Sequence, residues 1–358
     1  MMGAMLARLR RSLGVVVYDI WRYHSLLSGD GDDWLRIRNR AERLIPSDDG
    51  SGFACDWQWT SLLHAPRVFP YLGRRLMARA MERHAFFGDV KNFGDAGPAH
   101  NLDRSPEISF IVGHRGEARL ENLWLVLRSV LAQTNAAVEC IVVEQSDGPT
   151  IADMLPRGIR YVHAPSKPQG AAYNRALAFN VGAAVAKSDL LVLHDNDFLV
   201  PVRYASDLLA RWQAGFEVID LKRFIFYLSQ ADSVNLAKSA TLPPNAAPVE
   251  IIQNLTGGGS IAVDRRVYWE IGGHDEGFVG WGGEDVDFWD RAMTRRLYPF
   301  GHLPMLHLWH APQPGKTPQK DSAAMQRYHA MAKIDARERI RRLRAGRSDD
   351  VQQASSEA

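Results

Sequence analysis

The sequence predicts an α/β protein, a mostly parallel sheet with helices on both faces, behind a helical N-terminal extension. Three observations predict it. Apolar runs of strand length recur between residues 109 and 193, and segments of helical periodicity separate them. A 358-residue chain that is 46% hydrophobic can also supply the core such a sheet requires.

Residues 1–104 form the extension. Arg8, Arg10 and Arg11 precede the apolar run 13–17, which Asp19 and Arg22 interrupt before it could span a bilayer. Neither a signal peptide nor a transmembrane helix is expected. A solvated helix face is the common source of such a basic opening, with peripheral contact to an anionic membrane surface as the alternative. Further on, Leu72, Leu76, Met77, Ala80 and Met81 alternate with Arg74, Arg75, Arg79 and Arg83, which predicts a helix over 71–87. Polar and Gly-rich breaks at 28–33 and 47–52 divide this region.

The pattern changes after a break at 94–106. Residues 109–114 (SFIVGH) predict a strand and 120–131 a helix, with Leu120, Leu123, Trp124, Leu127, Val130 and Leu131 on one stripe. Residues 140–144 (CIVVE) and 159–163 (IRYVH) predict two further strands, 170–186 a helix, and 190–193 (LLVL) a fourth strand. Sheets of this kind bind ligands at the carboxyl ends of their strands, so the residues just after each strand are the candidates for function. The domain with this pattern spans 105–320. A tail, 321–358, begins as a helix, turns basic at 337–347 and ends in a polar stretch expected to be disordered.

Charge and cysteine content narrow the function. Lys and Arg number 43 against 41 Asp and Glu, so the net charge of +2 gives no general reason to expect nucleic acid. Any anion must be held by a local site. Cys55 and Cys140 cannot build a disulfide framework, and Cys140 sits in an apolar run that predicts a buried thiol. A reducing cytoplasm fits best.

Two acidic clusters carry the chemistry. The run 190–193 leads straight into His194-Asp195-Asn196-Asp197, which places two carboxylates one residue apart at a strand end. Hard cations such as Mg²⁺ and Mn²⁺ are commonly held by one or two carboxylates plus substrate phosphates; Asp and Asn also favour turns for backbone reasons alone. Residues 280–290 (GWGGEDVDFWD) form a glycine-flanked turn, then acids, then an apolar helical pattern. Acids in a first helical turn often only cap amides and oppose the dipole, and Asp287 and Asp290 fit that role. Trp281 does not, and an aromatic plate beside carboxylates suits a sugar, which offers C–H faces to stack and hydroxyls to bond.

Together these segments resemble the inverting GT-A glycosyltransferases, a Rossmann-like fold, in their family 2 form and with the galactosyltransferase-like C-terminal motif of the β-1,4-galactosyltransferases (family 7). Four stretches match in order: 109–115 (SFIVGHR), 173–182 (YNRALAFNVG), 195–201 (DNDFLVP) and 257–287, which contains GGGS and GWGGEDVD. His307-Leu308-Trp309-His310 falls where the family places its last metal ligands. The resemblance covers about 105–328.

It implies that Arg115, Asn174 and Arg175 contact the nucleotide diphosphate, with Tyr173 and Gly258 also on the donor side. Asp197 and His310 would bind a divalent metal, Mn²⁺ or Mg²⁺. His307, standing where vertebrate members use methionine, would be a third ligand, and Asp195 would support the metal or the ribose. Trp281, Gly282, Gly283 and Glu284 would hold the acceptor sugar, and Asp285 would be the base. Gly113 and His114 replace the family's Pro-Phe pair. Leu255 stands where resembling enzymes carry a bulky aromatic, which leaves room for a 2-acetamido group on the donor.

The implied activity is transfer of a hexose or N-acetylhexosamine from a UDP-sugar to a saccharide or lipid-linked acceptor, in bacterial polysaccharide or glycoconjugate synthesis. The implied place is the cytoplasm, with peripheral contact at the inner membrane surface. Inversion needs neutralisation of the departing diphosphate, which a divalent ion and Arg175 would supply, and removal of the acceptor proton. Whichever of Glu284 and Asp285 faces the acceptor hydroxyl would do the latter, worth roughly 10²- to 10⁴-fold. Pro304 and Pro312 predict an irregular segment around the two histidines. A sugar nucleotidyltransferase is the alternative enzyme, but no Gly-rich phosphate loop follows the first strand. A nonenzymatic sugar-binding protein would be marked by loss of the acids, and all are present.

Overall fold

The computed structural model describes residues 44–46, 53–55, 70–88, 105–253, 257–298, 301–312 and 322–356. The basic opening segment and Leu255 lie outside the described residues. Within 1–104 the expected helical extension also contains strand among the described residues. Two short strands, β1 (Leu44–Pro46) and β2 (Phe53–Cys55), pair antiparallel. Helix α1 (Pro70–Arg83) follows, starting on a proline whose fixed φ suits a first turn. It buries Leu76, Met77 and Ala80 and leaves Arg74 and Arg75 in solvent.

The rest proceeds as β3 (Ile108–His114), α2 (Leu120–Leu131), β4 (Val138–Ser146), a 3-10 turn (Ala152–Met154), β5 (Ile159–Pro165), α3 (Arg175–Val185) and β6 (Leu190–His194). Next come β7 (Phe198–Leu199), α4 (Tyr204–Gln213), β8 (Val218–Ile219), β9 (Lys222–Tyr227), α5 (Gln230–Ser239) and β10 (Glu250–Gln253). The chain closes with β11 (Ser260–Asp264), α6 (Arg265–Glu270), α7 (Glu284–Ala292), β12 (Leu297–Tyr298), β13 (Leu303–His307), α8 (Ala323–Met331) and α9 (Ala336–Ser356).

Seven strands form the main sheet in the order β12-β8-β11-β6-β3-β4-β5. The four predicted strands are its parallel core, β6-β3-β4-β5. Their side chains alternate between two apolar layers: Phe110 and Val112 face one, Ile111 the other, and Cys140 and Val142 oppose Ile141 and Val143 in the same way. Burial on both faces explains why these strands read as unbroken apolar runs. Beyond β6 the sheet turns mixed, because β11 runs antiparallel to both β6 and β8.

A second sheet, β10-β9-β13-β7, positions the site. Strand β7 begins immediately after Asp197, and its antiparallel partner β13 puts His307 opposite Phe198. The Leu308 amide donates to the Asp197 carbonyl at 2.8 Å. Segments far apart in the chain are thus joined by a backbone ladder. The irregular segment expected around both histidines is corrected in part, since His307 ends a regular strand and only His310 lies beyond it.

The tail is helical from its start, and the polar end expected to be disordered is helical as well. Helix α9 runs through Ser356, and its first turns are fixed to the core by Ile340 and by Arg339, whose Nη1 donates to Asp287 Oδ1 at 2.7 Å.

Candidate active site

Four parts of the chain meet at the carboxyl end of β6: the turn Asp195–Asp197, the first turn of α3, the first turn of α7, and the end of β13. Between them lies a cleft of about 490 Å³ lined by Gly113, Arg115, Tyr173, Arg175, Asp195, Asp197, Trp281, Glu284 and Asp285, among others. Its size falls within the roughly 300–1,000 Å³ of ligand pockets. The two acidic clusters, nearly ninety residues apart, share this one cavity.

Arg175 is the hub. It is the first residue of α3, and its guanidinium lies over the Phe179 ring, 4.4 Å from the centroid. Its Nε donates to Asp195 Oδ1 at 2.7 Å, and its Nη1 pairs with Asp285 and stands 3.5 Å from Glu284 Oε1. Three carboxylates in a mostly buried pocket with one guanidinium cannot all be comfortable anions. Burial, reinforced by Asp285, lifts Glu284 to about 7, against the pull of Arg175. Burial also raises Asp195, again against Arg175. Glu284 Oε2 is buried with no hydrogen-bond partner among the described residues.

Asp197 belongs to a different group. Its Oδ2 lies 3.3 Å from His310 Nε2 and its Oδ1 3.7 Å from His307 Nε2, and the three potential ligand atoms all fall within 4.8 Å of one another. Neighbouring ligands around an ion at about 2.1 Å stand about 3 Å apart, so this trio fits a single cation. Two imidazoles beside one carboxylate suit a first-row transition ion better than Mg²⁺, which prefers oxygen ligands. His310 Nδ1 stands 2.7 Å from the Ala311 carbonyl and 3.0 Å from Arg119 Nη2, and these two contacts hold the ring with Nε2 toward Asp197. The His307 ring stacks on Tyr227, with centroids 4.1 Å apart. Burial would raise Asp197, but His307, His310 and Arg119 outweigh it and hold the carboxyl below its usual range. Asp195, expected as a further ligand, stands outside this group: Arg175 and the Gly259 amide take its oxygens.

Two buried neutral histidines shape the acidic turn. His114 Nε2 donates to the Gly116 carbonyl at 2.7 Å, and its Nδ1 accepts from Asn196 at 2.8 Å. His194 Nε2 donates to the Phe198 carbonyl, and its Nδ1 accepts from Ser260. Burial lowers both to about 4, which keeps these roles fixed at neutral pH. Arg119, which precedes α2, bridges from outside, its Nη1 donating to Asp197 Oδ2 at 3.1 Å.

Several expected contacts prove structural. The Asn174 side chain caps α3, accepting from the Leu177 amide at 2.9 Å, and its amide group donates to the Glu276 carbonyl at 2.8 Å. Its oxygen and one of its two amide hydrogens are thus used within the fold. Gly258 lies against Asp285, where a Cβ would come within 2.6 Å of Oδ2. A Cβ at Gly282 would meet Met325, and one at Gly283 would meet Tyr328, so this pair admits α8 instead of forming an acceptor surface. Arg115 and Tyr173 do line the cleft, and Arg115 Nη1 and the Tyr173 hydroxyl are buried without partners among the described residues. Asp287 is tied to Arg291 and Arg339 and lies wholly buried away from the cleft.

Sequence reasoning missed Arg119, His114, Asn196 and His194. Only Asn196, lying between the two acids, carried a signal. The others each have at least one partner far along the chain, at Asn196, Ser260 and Asp197, that no local spacing reveals.

Residues 109–237 match the family model described as glycosyl transferase family 2. Residues 251–303 match the model described as the N-terminal domain of galactosyltransferase. Human polypeptide N-acetylgalactosaminyltransferase 10 is 29% identical over 126 residues, covering 30% of this chain and 21% of that protein, and the rat protein matches equally. The chain thus spans about a fifth of the length of these curated relatives. Among solved structures, GalNAc-T7 with UDP, GalNAc and Mn²⁺ superposes with a TM-score of 0.44 at 14% identity, covering 65% of this chain and 48% of that one. The catalytic domain of Drosophila β1,4-galactosyltransferase 7 complexed with xylobiose gives 0.32 at 17%, covering 55% and 65%. The family matches bear out the resemblance to GT-A glycosyltransferases.

Proposed function

We propose that this glycosyltransferase moves a hexose or N-acetylhexosamine from a UDP-sugar to a saccharide or lipid-linked acceptor, with inversion and with a divalent metal. One observation carries the reading: carboxylates from two distant clusters and one arginine line a single cleft whose edge holds an Asp-His-His group.

In this proposal Asp197, His307 and His310 hold Mn²⁺, which would supply positive charge at the departing diphosphate. Arg115, with a buried nitrogen that has no partner among the described residues, binds a phosphate oxygen. Arg175 orients Asp195 and Asp285. Asp285 takes the acceptor proton, while Glu284, part protonated near neutral pH, donates to the acceptor through Oε2, which has no partner among the described residues. Trp281 supplies the stacking plate. The proposed catalytic domain is 105–320, and the proposed setting is bacterial polysaccharide or glycoconjugate synthesis in the cytoplasm, at or near the inner membrane surface. No described helix is long and apolar enough to cross a membrane.

The test is release of UDP from a panel of UDP-sugars, with Mn²⁺ and with chelator. Metal-dependent release from a UDP-hexose or UDP-N-acetylhexosamine is expected. Release from none of them, with no UDP binding by calorimetry, would remove the assignment.

A further inference from the structure

A second groove lies on the far side of the metal group. It has about 460 Å³ of space, Ala118 and Arg119 line both it and the active-site cleft, and His310 lines it from the side of the metal group. Its walls come from the start of α2 (Glu117, Glu121), from α5 (Gln230, Val234) and from Trp309.

Three features define what it can hold. Trp309 is 40% exposed, unusual for so large an apolar side chain, and its backbone is pinned on both sides. Its amide donates to Ser233 Oγ on α5 at 2.9 Å, and its carbonyl accepts from Asn122 Nδ2 on α2 at 3.1 Å. The backbone that carries the indole is therefore fixed at the groove's wall. The side chains of Glu117, Glu121 and Gln230 make no hydrogen bond to the described residues, so they stand ready to receive hydroxyls. Arg119, the basic residue of this wall, is committed to Asp197. The balance disfavours a phosphate or an anionic lipid headgroup and suits an uncharged polyol with apolar C–H faces.

We infer that this groove is a saccharide subsite, holding a neutral sugar unit of the acceptor beyond the one that receives the transferred residue. The inference rests on the transferase reading and adds to it. The acceptor runs past the metal group along Trp309, and the remote unit contributes binding that orients the reacting hydroxyl.

The experiment uses the full chain and a panel of neutral methyl di- and trisaccharides of galactose, N-acetylgalactosamine and N-acetylglucosamine, read by saturation-transfer NMR and calorimetry. At least one trisaccharide should bind saturably, and Trp309→Ala should weaken it about tenfold or more. Val234→Arg, at a position 41% exposed on α5, obstructs the groove without altering a buried contact and should weaken it similarly. Both variants should keep wild-type affinity for UDP with Mn²⁺. If trisaccharides bind no better than disaccharides, or if both variants bind them like wild type, the subsite is wrong while the transferase reading stands. Loss of UDP binding in the wild-type protein would instead strike the transferase reading itself.

Discussion

Arg339 on α9 places its Nη1 2.7 Å from Asp287 Oδ1, and both residues are buried, at 4% and 0% exposure. Arg291 holds the other Asp287 oxygen at 2.9 Å and reaches the Gly273 carbonyl at 2.7 Å. The same Arg339 donates to Asp290 at 3.1 Å. Helix α7 thus presents Glu284 and Asp285 to the cleft while its opposite side is locked to the C-terminal helix. Removing one member of a buried charge group strands the others in low dielectric. Arg339→Met should cost about 3 kcal/mol, the low end for a broken buried pair because Arg291 remains. A urea midpoint shift equivalent to under about 1 kcal/mol would show that the lock contributes little.

The Asp-His-His group gives the second prediction. Asp197→Ala should abolish Mn²⁺-dependent UDP binding while leaving the circular dichroism spectrum intact, since its carboxylate faces both imidazoles. His310→Ala should weaken Mn²⁺ at least tenfold, and His307→Ala should do the same if both imidazoles ligate. Isothermal titration of Mn²⁺ and of UDP checks this, and unchanged UDP affinity in Asp197→Ala would take that residue out of the site.

How much of this was readable beforehand depends on the range over which each interaction acts. The four parallel strands could be read because burial on both faces leaves an apolar run in the chain itself. Asp197 and Asp285 could be found because a strand end and a glycine turn mark them locally. The antiparallel β11 and the small second sheet could not, because their strands are short and their pairing is set by tertiary contact. Asn174 has a role the resemblance did not imply: the side chain expected on the diphosphate also caps a helix, as this residue type commonly does. His114, His194 and Arg119 are tied to partners 66 to 191 positions away, distances at which one sequence carries no pattern.

The acids of α7 separate by pH. Asp285→Asn should keep UDP binding and lose turnover by roughly 10²- to 10⁴-fold, the span of general-base catalysis. Glu284→Gln should lose far less, because the neutral amide still donates to the acceptor. Stability gives an independent readout. Burial pushes Glu284 above its unfolded value to about 7. A carboxyl raised on folding contributes stability that is complete below the unfolded pKa and is lost as pH rises through the folded one. The wild-type melting temperature should therefore fall between about pH 5.5 and about pH 8 by more than that of Glu284→Gln. Identical pH slopes would mean that Glu284 titrates as an ordinary carboxylate, and a deep turnover loss in Glu284→Gln would make it the base.

Gly259 connects backbone shape to the acids and supports the last prediction. Its φ is +86°, and a Cβ there would press to 2.8 Å from the Phe198 ring. Its amide donates to Asp195 Oδ2 at 3.1 Å, and its carbonyl accepts from the Asp195 amide at 2.8 Å. An alanine must therefore strain the backbone, displace Phe198, or both. Backbone strain of this kind costs on the order of 1–3 kcal/mol. Phe198 immediately follows Asp197 and opposes His307 across the ladder. Displacing it should move the carboxylate and the imidazole relative to each other. Gly259→Ala should accordingly lower both the melting temperature and Mn²⁺ affinity. Gly116→Ala serves as the comparison: its φ is +58° but nothing lies within 4 Å of the added carbon, so it should show strain without crowding and leave Mn²⁺ affinity nearly unchanged. Equal loss of metal affinity in the two variants would mean that backbone strain, and not the contact with Phe198, governs the site.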